Sequence, residues 1–308
     1  MTNTDTGIES LEDSLTTPTN TTPADTSPSD NNSGAIDPAA VEAFVGRVLT
    51  DFAGAASTAM TVIGDRLGLF EAMTGTGPIS AEELSAATLL NPRLVTEWLA
   101  SQVVSGYLTF DGDTDRYLLP TEHAMVLSVP VSPAYIVGAA EIVAGQYATL
   151  ENLESAFRTD GAVDYAHFPD TVTHGIERFF GTAYSHQLVD AWFPAIDGLV
   201  GRLADGARVA DIGCGHGAAT LVMANAWPRS VFTGFDLDER AITVARSRAV
   251  AHGSPPTVDF RVADSAGFGP GPYDTVLFFD SLHDLGDPQA SLRRVSSTPT
   301  SPPIPVRT

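Results

Sequence analysis

The chain contains no lysine: all 16 of its basic residues are arginines, set against 38 aspartates and glutamates, for a formal charge of -22 over 308 residues. A chain so short of positive charge repels nucleic acid phosphates and anionic membranes, so polyanionic partners are not expected. Arginine-only basicity on an acidic background fits a GC-rich genome or a high-salt cytoplasm, which bears on habitat and not on chemistry. Cysteine occurs once, at Cys214. That excludes an internal disulfide and a cysteine-based metal site, and it fits a reducing, cytoplasmic setting. No basic N-terminal stretch runs into an apolar segment, and no uninterrupted apolar run reaches about 18 residues. The expectation is a protein neither secreted by that route nor embedded in a membrane.

What is present suffices for one or two cores, since 43% of residues are hydrophobic, and the length favours two domains. Residues 1–37 are Thr, Ser, Asp, Asn and Pro with few large apolar side chains, which predicts a disordered acidic tail. Residues 38–130 read as a winged-helix domain. Val41, Phe44, Val45 and Val48 share one helical face, and a second run passes through Met60, Ile63, Leu67, Leu69 and Phe70. Ser80 followed by Glu83 is a capping box, and Asn91-Pro92 opens the next helix, which ends at Gly106. Tyr107 to Phe110, a polar turn, and Arg116 to Leu119 then form a two-stranded wing. The second helix offers Arg93 and Gln102 to a DNA groove but also Glu97, with Glu82, Glu83, Asp111, Asp113 and Asp115 beside it. Such an acidic surface makes pairing with a second copy the better use of the module.

Residues 131–203 predict a helical connector rich in aromatics, among them Tyr135, Phe179, Phe180, Tyr184, Trp192 and Phe193. Most belong to a core, and several can line a substrate pocket. His167, His174 and His186 lie here without the spacing of a metal site, so no metal is expected.

The informative stretch starts at Arg208. A short apolar strand, Val209-Ala210-Asp211-Ile212, enters a glycine turn, Gly213-Cys214-Gly215-His216-Gly217, and leaves as a helix, the geometry that brings backbone close to a ligand at a helix N-terminus. The same letters fit a dinucleotide fingerprint, so spacing alone leaves NAD open. Asp211 favours S-adenosylmethionine (SAM), because a carboxylate there suits a sulfonium and an ammonium better than a pyrophosphate. The next strand ends in Asp236-Leu237, where an acid can accept ribose hydroxyls. A third, Val258 to Ala263, ends in Asp264-Ser265, placed for an adenine amino group. A fourth, Tyr273 to Phe279, ends in Asp280-Ser281-Leu282-His283-Asp284. Ligands bind beyond the carboxyl ends of such strands.

These residues resemble the class I SAM-dependent methyltransferases. Asp211 to Gly217 match their glycine motif, Asp236 their ribose acid and Asp264 their adenine contact. The layout is similar to the winged-helix small-molecule O-methyltransferases and related bacterial enzymes with a His283-Asp284-x-x-Asp287-Pro288 segment. The resemblance implies an α/β, Rossmann-like SAM-binding domain over residues 204–295, preceded by the α-helical winged-helix domain. It also implies a cofactor site of Asp211, Gly213, Gly215, Gly217, Asp236, Leu237, Asp264, Ser265, Phe279 and Asp280, methylation of a small-molecule acceptor, and a homodimer held by the winged helix. His283 stands where that family carries its general base, and an imidazole suits proton abstraction near neutral pH. Structurally, His283 could instead orient Asp284, and Asp284 could start the helix that follows.

Residues 296–308 are rich in Pro, Ser and Thr and cannot join a sheet. The sheet is therefore expected to be incomplete after its fourth strand, leaving Val276, Leu277 and Phe278 short of cover. Two other functions fit parts of this pattern: a winged-helix regulator that binds SAM without turnover, and an NAD-dependent oxidoreductase.

Overall fold

The computed structural model describes residues 36–159, 161, 163, 167–253, 255–269 and 271–297. The acidic tail expected up to residue 37 lies outside them except for its last two residues, as does the terminal segment beyond residue 297. The chain divides into two compact units, one ending at Leu49 and one beginning at Thr50. The first expected run and Met60 and Ile63 of the second lie on one helix, α1 (Pro38–Arg66), because Ala53, Ala55 and Ala56, strong helix formers, carry it through Gly54. Leu69 and Phe70 of the second run fall past left-handed Gly68 in a separate short helix. In its first part Val41, Phe44, Val45 and Leu49 are exposed.

A compact helical set follows: α2 (Leu69–Met73), α3 (Ala81–Thr88), α4 (Pro92–Val104), the antiparallel pair β1 (Thr109–Asp111) and β2 (Arg116–Leu118), and α5 (Thr121–Leu127). Both expected caps are formed. Ser80 Oγ accepts from Glu83 N at 3.2 Å, Glu83 Oε2 accepts from Ser80 N at 2.9 Å, and Asn91 Oδ1 accepts from Arg93 N at 3.0 Å. Arg116 reaches back from the wing and donates to both Glu83 oxygens, at 2.8 and 2.9 Å, joining wing to helix. Leu69, Phe70, Met73, Leu84, Trp98 and Leu99 fill the core between these elements. Gln102, expected as a candidate base reader, is wholly buried there.

Next come α6 (Gly138–Ala148), α7 (Leu150–Arg158), α8 (Asp170–Ala183) and a π-helix over Tyr184–Trp192 that continues α8 without a break. Helices α6 and α8 cross at glycine. A Cβ on Gly175 would lie 2.8 Å from Gly138 O, and one on Gly138 would lie 2.6 Å from Gly175 O. At the same crossing Arg178 of α8 donates to both oxygens of Asp65 in α1, at 2.6 and 2.8 Å, and to Glu141 of α6 at 3.1 Å. Its guanidinium also bonds the Tyr135 hydroxyl. Glu141 is almost fully buried, and its carboxylate is met by Arg178 and, at 3.0 Å, by His174 Nδ1.

The last segment runs α9 (Leu199–Asp205), β3 (Arg208–Ile212), α10 (Ala218–Ala226), β4 (Val231–Asp236), α11 (Glu239–Ala251), β5 (Val258–Val262), β6 (Thr275–Leu277), a 3-10 turn at Leu282–Asp284 and α12 (Pro288–Ser296). Among the described residues the sheet has four parallel strands in the order β5-β4-β3-β6. Val209, Ala210, Phe232, Phe235 and Phe260 are buried within it, as expected of strands covered on both faces.

Three details differ from the sequence reading. The fourth strand is shorter than Tyr273 to Phe279. Its Val276, Leu277 and Phe278 are half-buried instead of bare. Val276 and Phe278 pack with Phe235, Phe268 and Val295 of α12, while Leu277 joins the group around Phe193 and Phe232. Finally, α12 is started by Asp287, whose Oδ1 accepts from Ala290 N at 2.7 Å ahead of Pro288, and not by Asp284. Proline at the first helical position favours that start.

The α6–α8 crossing yields a test with two signs. Gly175→Ala forces a methyl group into the facing backbone and is expected to cost about 1–3 kcal/mol, as overpacking does. Gly181→Ala in the same helix meets nothing within 4 Å and is expected to be neutral or stabilising by up to about 1 kcal/mol. Thermal melts of the two variants check the pair; equal shifts would contradict the crossing.

Candidate functional site

In this strand order β4 and β5 lie to one side of β3 and β6 to the other. The connections therefore diverge at the carboxyl ends of β3 and β6, the crevice where open α/β sheets take ligands. The glycine turn sits there. Gly213, Gly215 and Gly217 all have left-handed backbone, with φ of 75°, 53° and 78°, which L side chains rarely adopt. Two of them are also sterically required. A Cβ on Gly213 would fall 2.4 Å from Ser281 Cβ, and one on Gly217 would fall 2.5 Å from the Phe260 ring. Gly215 faces open space instead, the position from which a ligand can meet bare backbone.

The turn is stitched to the next strand. Gly213 N and Cys214 N donate to Phe235 O at 2.8 and 3.0 Å, and Gly215 N donates to Asp236 Oδ2 at 2.8 Å. The other oxygen of Asp236 accepts from Asp238 N at 2.9 Å. Burial pushes the Asp236 carboxyl above its usual pKa despite these bonds.

Asp211 lies deeper than its spacing suggested. It is 1% exposed, and its Oδ2 accepts from Thr220 Oγ1 of α10 at 2.6 Å. The second oxygen is buried without a partner. Burial raises its pKa to about 6; the Thr220 hydroxyl works against the rise and the Asp236 charge adds to it.

Around this centre the remaining candidates divide. Leu237 is exposed next to Asp236, and Asp264 is exposed with Oδ1 accepting from Ala266 N at 2.6 Å. Ser265 turns to α12, its Oγ accepting from Ser291 at 2.9 Å. Phe279 packs into an aromatic wall, 5.4 Å from the Tyr184 ring and 6.2 Å from that of Phe193. Asp280 has left-handed backbone at φ 51°, and Ser281 after it donates to Ile212 O at 2.6 Å, which holds the end of β6 against the end of β3. His283 is exposed between two acids, its Nδ1 3.7 Å from Asp280 and its Nε2 3.3 Å from Asp284. Thus Asp211, the three glycines and Asp236 form one bonded unit, Asp280 and His283 adjoin it through Ser281, and Asp264 and Ser265 stand at the neighbouring strand end. No group of histidine, cysteine and carboxylate side chains that could hold a metal occurs among the described residues.

Two side chains of this region, Thr220 and Glu177, were not named from the sequence, while Ser281 and Tyr184 were named without the contacts they make. Thr220 and Ser281 fasten Asp211 and the glycine turn. Tyr184 stands beside Phe279 with its pKa raised, by burial first and then by the charges of Asp211 and Asp280. Glu177 of α8 pairs with His216 of the glycine turn at 3.2 Å, a contact between residues far apart in the chain.

Comparison with known proteins agrees with this geometry. Residues 55–129 match the model of an Rv2258c-like winged HTH domain and residues 210–298 that of a methyltransferase domain. A ubiquinone biosynthesis O-methyltransferase of Xanthomonas euvesicatoria pv. vesicatoria is 37% identical over 95 residues, 30% of this chain and 38% of that protein, so the match spans well under half of the relative. The fold is similar to that of the mitomycin 7-O-methyltransferase MmcR, with a TM-score of 0.64 at 21% identity over 86% of this chain and 79% of the other. It is also similar to human N-acetylserotonin methyltransferase in complex with SAM, with a TM-score of 0.58 at 20% identity over 86% and 78% of the two chains. The chain therefore joins a winged HTH domain to a methyltransferase domain.

Proposed function

We propose that this chain binds SAM in the crevice between β3 and β6 and transfers its methyl group to an oxygen of a small, partly apolar acceptor. The observation that carries the reading is the unpaired, buried Oδ1 of Asp211 beneath a glycine turn that is open at Gly215. A buried carboxylate oxygen without a donor is costly, and a cationic ligand relieves that cost where a pyrophosphate would aggravate it. The donor set thus suits SAM and disfavours NAD. When bound, SAM supplies an electrophilic methyl group.

The protein's own residues would do the rest. Asp236 accepts the ribose hydroxyls, with Leu237 flanking them. Asp264 and Ser265 receive the adenine amino group, Phe279 and Asp280 close the β6 side, and Asp211 answers the cationic end. The relative solved with SAM and the O-methyltransferase names of its neighbours support this assignment. Phe180, Trp192 and Phe279, whose rings each contact that of Tyr184, form with it an aromatic wall suited to a planar acceptor. His283 takes the acceptor's hydroxyl proton on its imidazole, and the carboxylates of Asp280 and Asp284 stabilise the imidazolium that results. The exposure of His283, 64% for its side chain, favours one second reading, a SAM-binding regulator without turnover. With Gln102 buried and Arg93 beside exposed Glu97, the winged helix is poorly equipped to read DNA. The exposed apolar side chains of α1, Phe44 and Phe52 foremost, support a homodimer.

One calorimetric series separates the roles. Asp236→Ala is expected to weaken SAM binding by about 30-fold or more, the scale of losing charge-assisted hydrogen bonds. His283→Ala should leave SAM affinity within about twofold while abolishing S-adenosylhomocysteine production from a phenolic acceptor panel. Equal loss of both properties would remove His283 from the base role.

Asp211 gives a pH dependence whose sign follows from its raised pKa, about 6 against the ordinary 3.8. Ionising it costs the ligand-free fold stability, so its contribution declines as pH climbs from about 4 to about 6. A bound cation reverses the preference. SAM affinity is expected to rise with pH up to about 6, by at most about tenfold per unit, and to level off above. In Asp211→Asn this component should vanish, which titrations at pH 5, 6, 7 and 8 can read.

The dimer is checked by sedimentation: Phe44→Glu with Phe52→Glu should lower the sedimenting mass to that of one chain. An unchanged mass would place any self-association elsewhere.

A further inference from the structure

Glu177 sits in α8, outside the sheet and outside every motif of the sequence, yet it pairs with His216 of the glycine turn and with Arg248 of α11. Its Oε2 lies 3.2 Å from His216 Nδ1 and its Oε1 lies 2.5 Å from Arg248 Nη2 of α11. The carboxylate and the imidazole are 16% and 12% exposed, so water competes little for the pair. Although burial works against it, the bonds from His216 and Arg248 hold the Glu177 carboxyl below its usual pKa, so it carries its charge near neutrality. On the other side of the same turn, Gly215 N is bonded to Asp236. The turn is thus held at consecutive residues, Gly215 by the sheet and His216 by α8.

This second tether is not needed to build the fold. The strands are already registered by their ladder, and the left-handed glycines are fixed by Phe235 O, Ser281 and Phe260. What it governs is the freedom of the segment between Cys214 and Gly217, in which Gly215 faces open space. A turn with two left-handed glycines around one residue has a soft backbone, and ordering it on ligand binding costs entropy unless it is ordered beforehand.

We propose that Glu177, seated by Arg248, is a positioning residue for the cofactor turn: by gripping His216 it pre-orders the Gly215–Gly217 backbone in the conformation that receives SAM. Its role in binding rests on the SAM reading given above, whereas the clamp itself rests only on the contacts. Glu177 acts through His216 and touches no reacting atom. The helix that carries it runs directly into the π-helix bearing Tyr184, so the same element that would shape the acceptor side also stiffens the cofactor side.

The test uses the full chain with two readouts. Glu177→Gln keeps the shape and removes the charge. Hydrogen-exchange mass spectrometry without ligand should show the amides of residues 213–217 exchanging at least about tenfold faster in this variant, with α6 unchanged, as expected when local opening becomes easier. Calorimetry should show SAM bound about five- to tenfold more weakly, the loss being the ordering cost now met on binding. In a double-mutant cycle, Glu177→Gln should add nothing to His216→Ala, and His216→Gln, which keeps a donor, should restore turn protection in part. The proposal is overturned if turn exchange is unaltered, or if the Glu177→Gln penalty persists in full without His216. Should the unaltered chain fail to bind SAM, the cofactor reading falls on its own, and the exchange data still decide whether the clamp exists.

Discussion

The carboxyl end of the sheet depends on how β3 is tied to β4 just after β3 ends. Three successive amides, Gly213, Cys214 and Gly215, turn toward the end of β4, two to the Phe235 carbonyl and one to the Asp236 carboxylate. Without left-handed glycines the chain could not swing back far enough to make those bonds. Once they form, the following helix starts at Ala218, Thr220 comes over Asp211, and Ser281 can close against Gly213 from the β6 side. Each further element of the site is an addition to this short splice.

That splice also determines the electrostatics. Two carboxylates, Asp211 and Asp236, are drawn into a buried space where burial raises the pKa of each and the Asp236 charge adds to the rise at Asp211, and the protein supplies hydrogen bonds for only three of their four oxygens. Such an arrangement is unfavourable by itself and becomes favourable with a positive ligand. Two arginines of this region are committed to partners: Arg248 to Glu177 and Arg246 to the Phe260 carbonyl.

Much of this was legible in the sequence because it is local. The Ser80–Glu83 box, the Asn91-Pro92 start, the glycine turn and the end of β4 at Asp236 are each specified within a few residues and formed where the spacing put them, whereas β6 stops two residues short of the expected Phe279. The failures share a different cause. Continuity of α1 is decided by summed alanine propensity, which a face-by-face reading of apolar residues overlooks. The burial of Asp211 depends on the angle at which α10 lies over β3, and the Gly138–Gly175 crossing and the Glu177–His216 contact each join residues more than 30 positions apart. Cover for Val276 and Phe278 comes from α12, whose start moved to Asp287 because Asp287 and Pro288 together make a better cap than Asp284.

Helix α8 carries Glu177 and Arg178 side by side, one paired to the glycine turn and the other to Asp65 of α1 and Glu141 of α6. Neighbouring residues on a helix point about 100° apart, so the two grips act about different radii of the same rod. Just before the two grips, at Gly175, its backbone lies too close to that of α6 to admit a side chain. The π-helix that continues α8 brings the Tyr184 ring, with Trp192 against it, up to Phe279 just past β6, so whatever seats α8 also sets the distance between those rings and the sheet.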